Sequence, residues 1–448
     1  MATEHLEIKK IKGQNYAYST VNLWDRENKK EIKISKYIGK VNGNNEIIRK
    51  VNLPDRSYQY GDVAFLVSMN YNLIKKISEN YDKYWKEIIT SALITIVGRI
   101  PLEYVKGYYR KTILYHYWPK LKLEPKNITS MLRYLAYNKL AFENLEEYDD
   151  SSLIMHVEIV IPVYAFNGKS RYARDNITLD IVFEPAQMRI LNVEYFTGSE
   201  YMLSRFISRT EEAAKYDGVL ILDSLHSTKK DINLLIRENK FFIVELSPDE
   251  TKKFLDKVDP SGKTMLRRSF NSLLNRSIYY YRISMGNLHY FIMDDAYHGE
   301  SESIKVSGNS SIMVALSNMD IDQGLVYQAI NIKRFMYSSI SSSKYRLDSD
   351  RKMISGKMEL DGYVLFNIIA MKFYMSLYRN TIIPNPGRHK LVDSLMIELS
   401  TINMYLVKGE LYLPRIGKSI MSDLNSVGGG IADKIFSKDL FSELNNKK

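Results

Sequence analysis
Gly218-Val219-Leu220-Ile221-Leu222-Asp223-Ser224 is the stretch that decides the fold. Four apolar residues in a row, closed by an acid, predict a short buried strand. Downstream, the 25 residues from Gln323 to Leu347 contain no Asp or Glu. They read as a helix over about 323–341. A carboxylate at a strand end and an acid-free helix after the sheet are the two features that bear on function.

Around this strand the pattern is regular. Residues 153–160, 177–183 and 190–196 read as three strands, and 201–215 as a helix. The Asp223 strand follows, then a helix over 229–238 and a strand over 241–245. Three strands, helix, strand, helix, strand is the element order of an RNase H-like core, a mixed sheet covered by helices. Between 248 and 309 the pattern turns β-rich. There Met285-Gly286-Asn287 separates two apolar runs as a hairpin turn would. Residues 312–318 return to the core. The apolar run 362–378 carries Asn367 and Lys372 and is short for a membrane span, so it reads as a buried helix.

The N-terminal part differs. Residues 14–40 read as a ribbon whose arms, Tyr16–Val21 and Glu31–Ser35, alternate at a two-residue period about a turn at Arg26-Glu27-Asn28-Lys29. Lys9, Lys10, Lys12, Lys29, Lys30, Lys33 and Lys36 make it basic, which suits either a solvated hairpin or a ribbon that contacts phosphates. Residues 61–145 have helical spacing. The expected division is a basic ribbon over 1–56, a helical and candidate DNA-binding region over 57–148, core over 149–247 and 310–390, a β-rich insertion over 248–309, and C-terminal helices with a loose tail over 391–448. The fold class is therefore α/β.

Composition narrows the function classes. The chain has 448 residues, with 63 Lys and Arg against 52 Asp and Glu, a formal charge of +11. That balance suits nucleic acid or another anionic partner. With no Cys, disulfides, thiolate metal sites and a Cys nucleophile are excluded, and a reducing cytoplasm fits. The start of the chain carries no signal pattern.

Several pieces, taken in order, resemble the insertion-sequence transposases of the IS-four family, which use three carboxylates (DDE) on an RNase H-like fold. The pieces are Asn15-Tyr16-Ala17-Tyr18, Trp24 to Lys30, Ser35 to Lys40, Gly168 to Asp175, Phe196-Thr197-Gly198, Val219 to Leu235 with Asp223 and Asn233, Ser317-Asn318, and Gly362 to Asn367. The resemblance implies DNA transposition and recombination by strand cleavage and transfer, with Mg²⁺ or Mn²⁺ held by hard oxygen ligands. It implies double-stranded DNA at the element ends as partner, no membrane, room for a homodimer, and a place in the cytoplasm of a prokaryotic cell, on the nucleoid. By position, Asp223 matches the second Asp. The first falls at His156, with Glu158 two residues on as a substitute on the same face, and Asp180 as a further metal-ligand candidate. The expected catalytic pair is thus Asp223 and Glu158. In the last helix, counting from Tyr327, the matching positions are Ile330, Arg334 and Ser341, so Lys333 and Arg334 stand where the last Glu would be. Cations there would repel metals and suit DNA phosphate. Glu359 is the alternative if the register differs. Such a copy would be weakly active or inactive. An active enzyme with a rearranged acidic set, and a non-enzymatic DNA-binding regulator or transposition inhibitor, are the alternatives.

Overall fold
The structure is a computed structural model. It describes residues 5–25, 29–41, 47–49, 56–143, 145, 154–164, 174–185, 188–198, 203–212, 218–258, 267–271, 276–294, 312–350, 353–382, 391–407, 409–427, 430–437 and 440–445. The Arg26–Asn28 turn, Gly168–Ala173 and Gly428-Gly429 lie outside the described residues. The chain forms two compact units, Met1–Ile128 with Lys390–Lys448, and Thr129–His389.

In the first unit the ribbon is larger than its sequence pattern suggests. Four strands, β1 (His5–Ile11), β2 (Gln14–Asp25), β3 (Lys30–Val41) and β4 (Ile47–Arg49), form an antiparallel sheet in that order. β1 joins β2 through a two-residue loop, Lys12-Gly13, in which both residues have positive φ (48° and 82°). That is the geometry a tight hairpin demands, and Lys-Gly is a weaker signal for it than Asn-Gly. A short strand β5 (Ser57–Gln59) pairs with Asn403–Val407, which turns at Gly409 (φ 88°) and pairs back with Glu410–Tyr412. The C-terminal part is therefore not helical throughout. Asn403-Met404-Tyr405-Leu406-Val407 is a β-prone run before a Gly turn, and a period-based reading passes over anything so short. Among the described residues of the tail, Ile435 and Phe441 on two short helices are buried.

The second unit is built on one nine-stranded mixed sheet. Its strands are β6 (Met155–Tyr164), β7 (Arg174–Glu184), β8 (Arg189–Gly198), β9 (Val219–Leu222), β10 (Phe242–Glu245), β11 (Arg267–Asn271), β12 (Arg276–Met285), β13 (Leu288–Asp294) and β14 (Ile312–Ser317). Their spatial order is β11-β12-β13-β14-β10-β9-β6-β7-β8. β9 runs parallel to both β6 and β10, and every other pair is antiparallel. The hairpin expected around Met285 is present as β12 and β13, and Gly286 (φ 61°) makes the turn. These strands continue the main sheet. Residues 248–255, expected to be β-rich, form a helix instead: Ser247 and Glu250 make a reciprocal capping box with Pro248 at the first turn.

The pleat sorts the core. Leu220 and Leu222 of β9, with Phe242 and Val244 of β10, pack against Leu203, Phe206 and Ile207 of the Leu203–Glu212 helix and Ile232 and Leu235 of the Lys229–Arg237 helix. Val219 and Ile221 alternate to the opposite face. The long Gln323–Asp350 helix follows β14 and lies against β6 and β9. The 362–378 run lies within a helix, Lys357–Ile382. No single helix among the described residues is long and apolar enough to cross a membrane. One bent pair, Trp85–Gly98 with Leu102–Tyr109, reaches that hydropathy, and Ile88 to Thr95 within it are buried.

The residues from Thr129 on, expected to belong with the N-terminal helices, group with the sheet unit. The helix Pro125–Tyr137 carries Leu132, and Gly362 meets it at backbone contact: a Cβ on Gly362 would lie 1.8 Å from the Leu132 carbonyl oxygen. A main-chain oxygen cannot swing aside as a side chain can. We expect Gly362→Ala to lower unfolding stability by about 3 kcal/mol, measured by urea titration; a loss under about 0.5 kcal/mol would show that the two helices do not cross this closely.

Candidate functional site
Asp223 sits just past β9, with φ −75° and ψ 156°, and caps the turn that follows by accepting from Leu225 N. Its second oxygen, Oδ2, accepts from Lys333 Nζ at 3.2 Å. Lys333 comes from the Gln323–Asp350 helix and is buried, while the Asp223 side chain is 31% exposed. Burial pushes the Asp223 carboxyl up. The Lys333 charge and hydrogen bond, with those of Leu225 N and Ser224, outweigh it and hold the group below its ordinary value. One helical step away, the Arg334 guanidinium donates to Glu245 at the end of β10.

The other candidate acids occupy the opposite face of the sheet. β6 and β9 align His156 with Leu220, so His156 and Glu158 share the face of Leu220 and Leu222. Asp223, two residues beyond Ile221, shares the face of Val157 and Ile159. The expectation that Glu158 stands opposite the Asp223 carboxylate therefore meets the pleat. What Glu158 reaches is the main chain, where Oε2 accepts from Asp223 N at 3.0 Å. Its Oε1 lies 3.4 Å from His226 Nε2. Glu158 is fully buried, and its work here is to pin the end of β9 to β6.

Asp180 pairs across β7 with Glu158 and faces the same way. His156 Nδ1 lies 3.0 and 3.1 Å from its two oxygens, and both side chains are about 1% exposed. Burial pushes the Asp180 carboxyl up, the His156 hydrogen bond draws it part of the way back, and the nearby Glu194 and Glu158 push it further up. This couple closes a polar gap inside the sheet unit and does not converge with Asp223. Glu359 is engaged as well, with Arg133 and Ser355 at the start of its helix. Asn318, in the Ser317-Asn318 step, bridges strands: its side chain accepts from Phe242 N and donates to Lys240 O.

On the face that Asp223 shares, β6 thus offers Val157 and Ile159, both buried and apolar, and the long helix offers Lys333. Asp223 is already matched to Lys333, its acidic neighbour on β10, Glu245, is matched to Arg334, and the β6 side is aliphatic; such a set does not fit a pair of divalent cations, which need several free anionic oxygens. Among the described residues no three His, Asp or Glu side chains gather as a metal set. Lys333 and Arg334, named from sequence as phosphate contacts, spend their charges on internal partners. The sequence signal for that pairing was available: an acid at the strand end, and a helix with cations and no acid to answer it.

The remaining named cations lie in the first unit. Lys29 and Lys30 are exposed where β3 begins, and Lys29 has φ 48°. Lys33 is exposed and donates to Glu7 Oε1 at 3.0 Å, so part of its charge is answered within the sheet. The structure therefore keeps the ribbon lysines and the Asp223 site in separate units. No protein-family model matches the chain, and a search of curated proteins gives no significant match.

The ion pair has a testable sign. A carboxyl held below its unfolded value, about 3.9, contributes stability in full above that pH, and the contribution is lost as pH falls through the folded value. Lys333→Met should cost about 2 kcal/mol at pH 7, with the difference from the unmodified protein closing toward pH 3. Denaturant titrations at the two pH values measure it. An equal cost at both would mean that Lys333 acts by packing alone.

Proposed function
We propose that this chain is a transposase-derived DNA-binding protein of an insertion sequence, with strand cleavage weak or absent. Support for the scaffold comes from five neighbouring strands. β8-β7-β6-β9-β10, with β7 antiparallel between its neighbours, β9 parallel to both of its own, and the crossover helices on one face, is the arrangement an RNase H-like core requires. On this reading β11–β13 are the β-rich insertion, and the Gln323–Asp350 helix is the one that carries the last Glu in active relatives.

One observation carries the loss of chemistry: Lys333 Nζ lies 3.2 Å from Asp223 Oδ2. An ammonium on that carboxylate supplies the positive charge a divalent metal would bring. Mg²⁺ or Mn²⁺ would have to displace it and would find Val157 and Ile159 where a second acid is needed. The partner left to such a protein is duplex DNA at the element ends, with the exposed lysines of the first unit giving the electrostatic contact. Its place is the nucleoid in the cytoplasm of a prokaryotic cell. The regulator or inhibitor role is the form this function takes when cleavage is gone.

Fluorescence anisotropy with duplex from the element ends tests binding. Affinity should fall at least about tenfold between 50 and 200 mM salt, roughly as a few phosphate contacts require. Lys29→Glu with Lys30→Glu should weaken binding and flatten that slope; salt-independent binding would refute the DNA reading. Incubation of the same duplex with Mn²⁺ should leave it intact. Robust cleavage abolished by Asp223→Ala would overturn the loss of chemistry.

A further inference from the structure
Among the described residues, the first strand of the basic sheet has an outer edge with no paired strand, because β1 stands last in the order β1-β2-β3-β4. It also carries exposed apolar side chains: Leu6 is 53% exposed and Ile8 51%. By its register with β2, Ile8 lies across from Ala17 and Leu6 from Ser19, on the face that holds the buried Ala17 and Leu23. Glu7 and Lys9 lie on the other face, beside Tyr18 and Tyr16. A regular edge with an exposed apolar row is a template for another strand.

We propose that β1 is a homodimer contact, in which two copies of the chain pair β1 to β1 antiparallel about a two-fold axis at Ile8. Of the axes at Glu7, Ile8 and Lys9, only the one at Ile8 makes the strand self-complementary. With the axis on Ile8, Ile8 meets Ile8 of the second copy, Glu7 meets Lys9, and Leu6 meets the aliphatic stem of Lys10. Each opposite-charge pair occurs twice by symmetry. Placing the axis on Glu7 instead sets Glu7 against Glu7. Placing it on Lys9 sets Lys9 against Lys9 and Ile8 against Lys10. Edge lysines usually guard a strand against any pairing; here Glu7 and Lys9 each disfavour the register centred on itself and complement each other in the one centred on Ile8. Two paired seven-residue strands cover less than the roughly 1,600 Å² of a standard interface, so the dimer should dissociate on dilution. It is a contact of the free protein and does not depend on the DNA reading.

The absence of Cys from the chain supplies a clean test on the full-length protein without DNA. Ile8→Cys places the sole thiol of each copy on the axis, where Cβ atoms of directly opposed residues approach to about 4.5–5.5 Å. Mild oxidation followed by non-reducing electrophoresis should give covalent dimer at least about ten times faster than Leu225→Cys, a control at a residue 63% exposed in the other unit. Equal rates would overturn the proposal. Sedimentation of charge variants is the second arm. Glu7→Lys and Lys9→Glu should each raise the dimer dissociation constant about tenfold, since each sets two like-charge pairs in the contact. The double variant Glu7→Lys/Lys9→Glu should restore it, although it does not restore the pairing of Glu7 with Lys33 inside each copy. Failure of the double variant to recover, or singles that dimerise unchanged, would refute the register.

Discussion
A β-strand can present a side chain to a given face only at every second residue, and this period governs what the sheet unit can do. β6 and β9 are locked in parallel register by main-chain bonds, with Val157 beside Ile221. Once that register is set, the face seen by Asp223 is fixed for β6 as Val157 and Ile159, and the acids of that strand are turned away. Shifting β6 by one residue would bring Glu158 round, but it would also carry Val157 and Ile159, both buried, out of their packing. The apolar core and the lack of an acid from β6 beside Asp223 are therefore one fact. Aliphatic side chains hold the sheet where an acid would be needed for metal chemistry.

With aliphatic neighbours on β6 and the acid Glu245 beside it on β10, Asp223 needs compensation from elsewhere, because a partly buried carboxylate without a partner is costly. Lys333 supplies it across the helix–sheet interface, and Arg334 does the same for Glu245 one position on. The two adjacent cations thus tie the long helix to the ends of two parallel neighbours, β9 and β10. Glu158 adds a third tie at the same level by accepting the Asp223 main-chain N–H from the other face. A carboxylate with a cation on its side chain and a second carboxylate on its backbone is held from both faces of the sheet. That arrangement stabilises a position; it does not leave an open coordination site.

Much of this unit is legible in the sequence, and the reasons are local. Val219–Leu222 is buried on both faces and reads as a central strand. Met285-Gly286-Asn287 marks the turn between β12 and β13, and the acid-free run Gln323–Leu347 of the long helix stands out by composition alone. What escapes is whatever depends on partners distant in sequence. Face assignment for Glu158 needs the β6–β9 register, which pairs residues 64 apart at His156 and Leu220. A motif match at one strand cannot supply it. The capping box at Ser247 was readable from Ser-Pro-Asp-Glu, but a β-rich neighbourhood masked it. The strand at 403–407 is too short for a period to appear, and it is held as a strand by pairing with β5 on one side and 410–412 on the other.

β1 escaped for a related reason, and it shows how an unpaired edge is to be judged. Most of its residues alternate apolar and charged as a strand should, yet seven residues with two lysines look like a solvated lead-in. In the structure the Lys12-Gly13 turn folds them back on β2, and the alternation then acquires two meanings at once. On one face Leu6 and Ile8 extend the apolar side of the sheet; on the other, Glu7 stands between Lys9 and Lys33, at 3.6 and 3.0 Å. A strand meant only to resist association would carry like charges along its rim. β1 carries opposite charges two residues apart around an apolar centre, and a two-fold axis through that centre converts the spacing within one copy into complementarity between two.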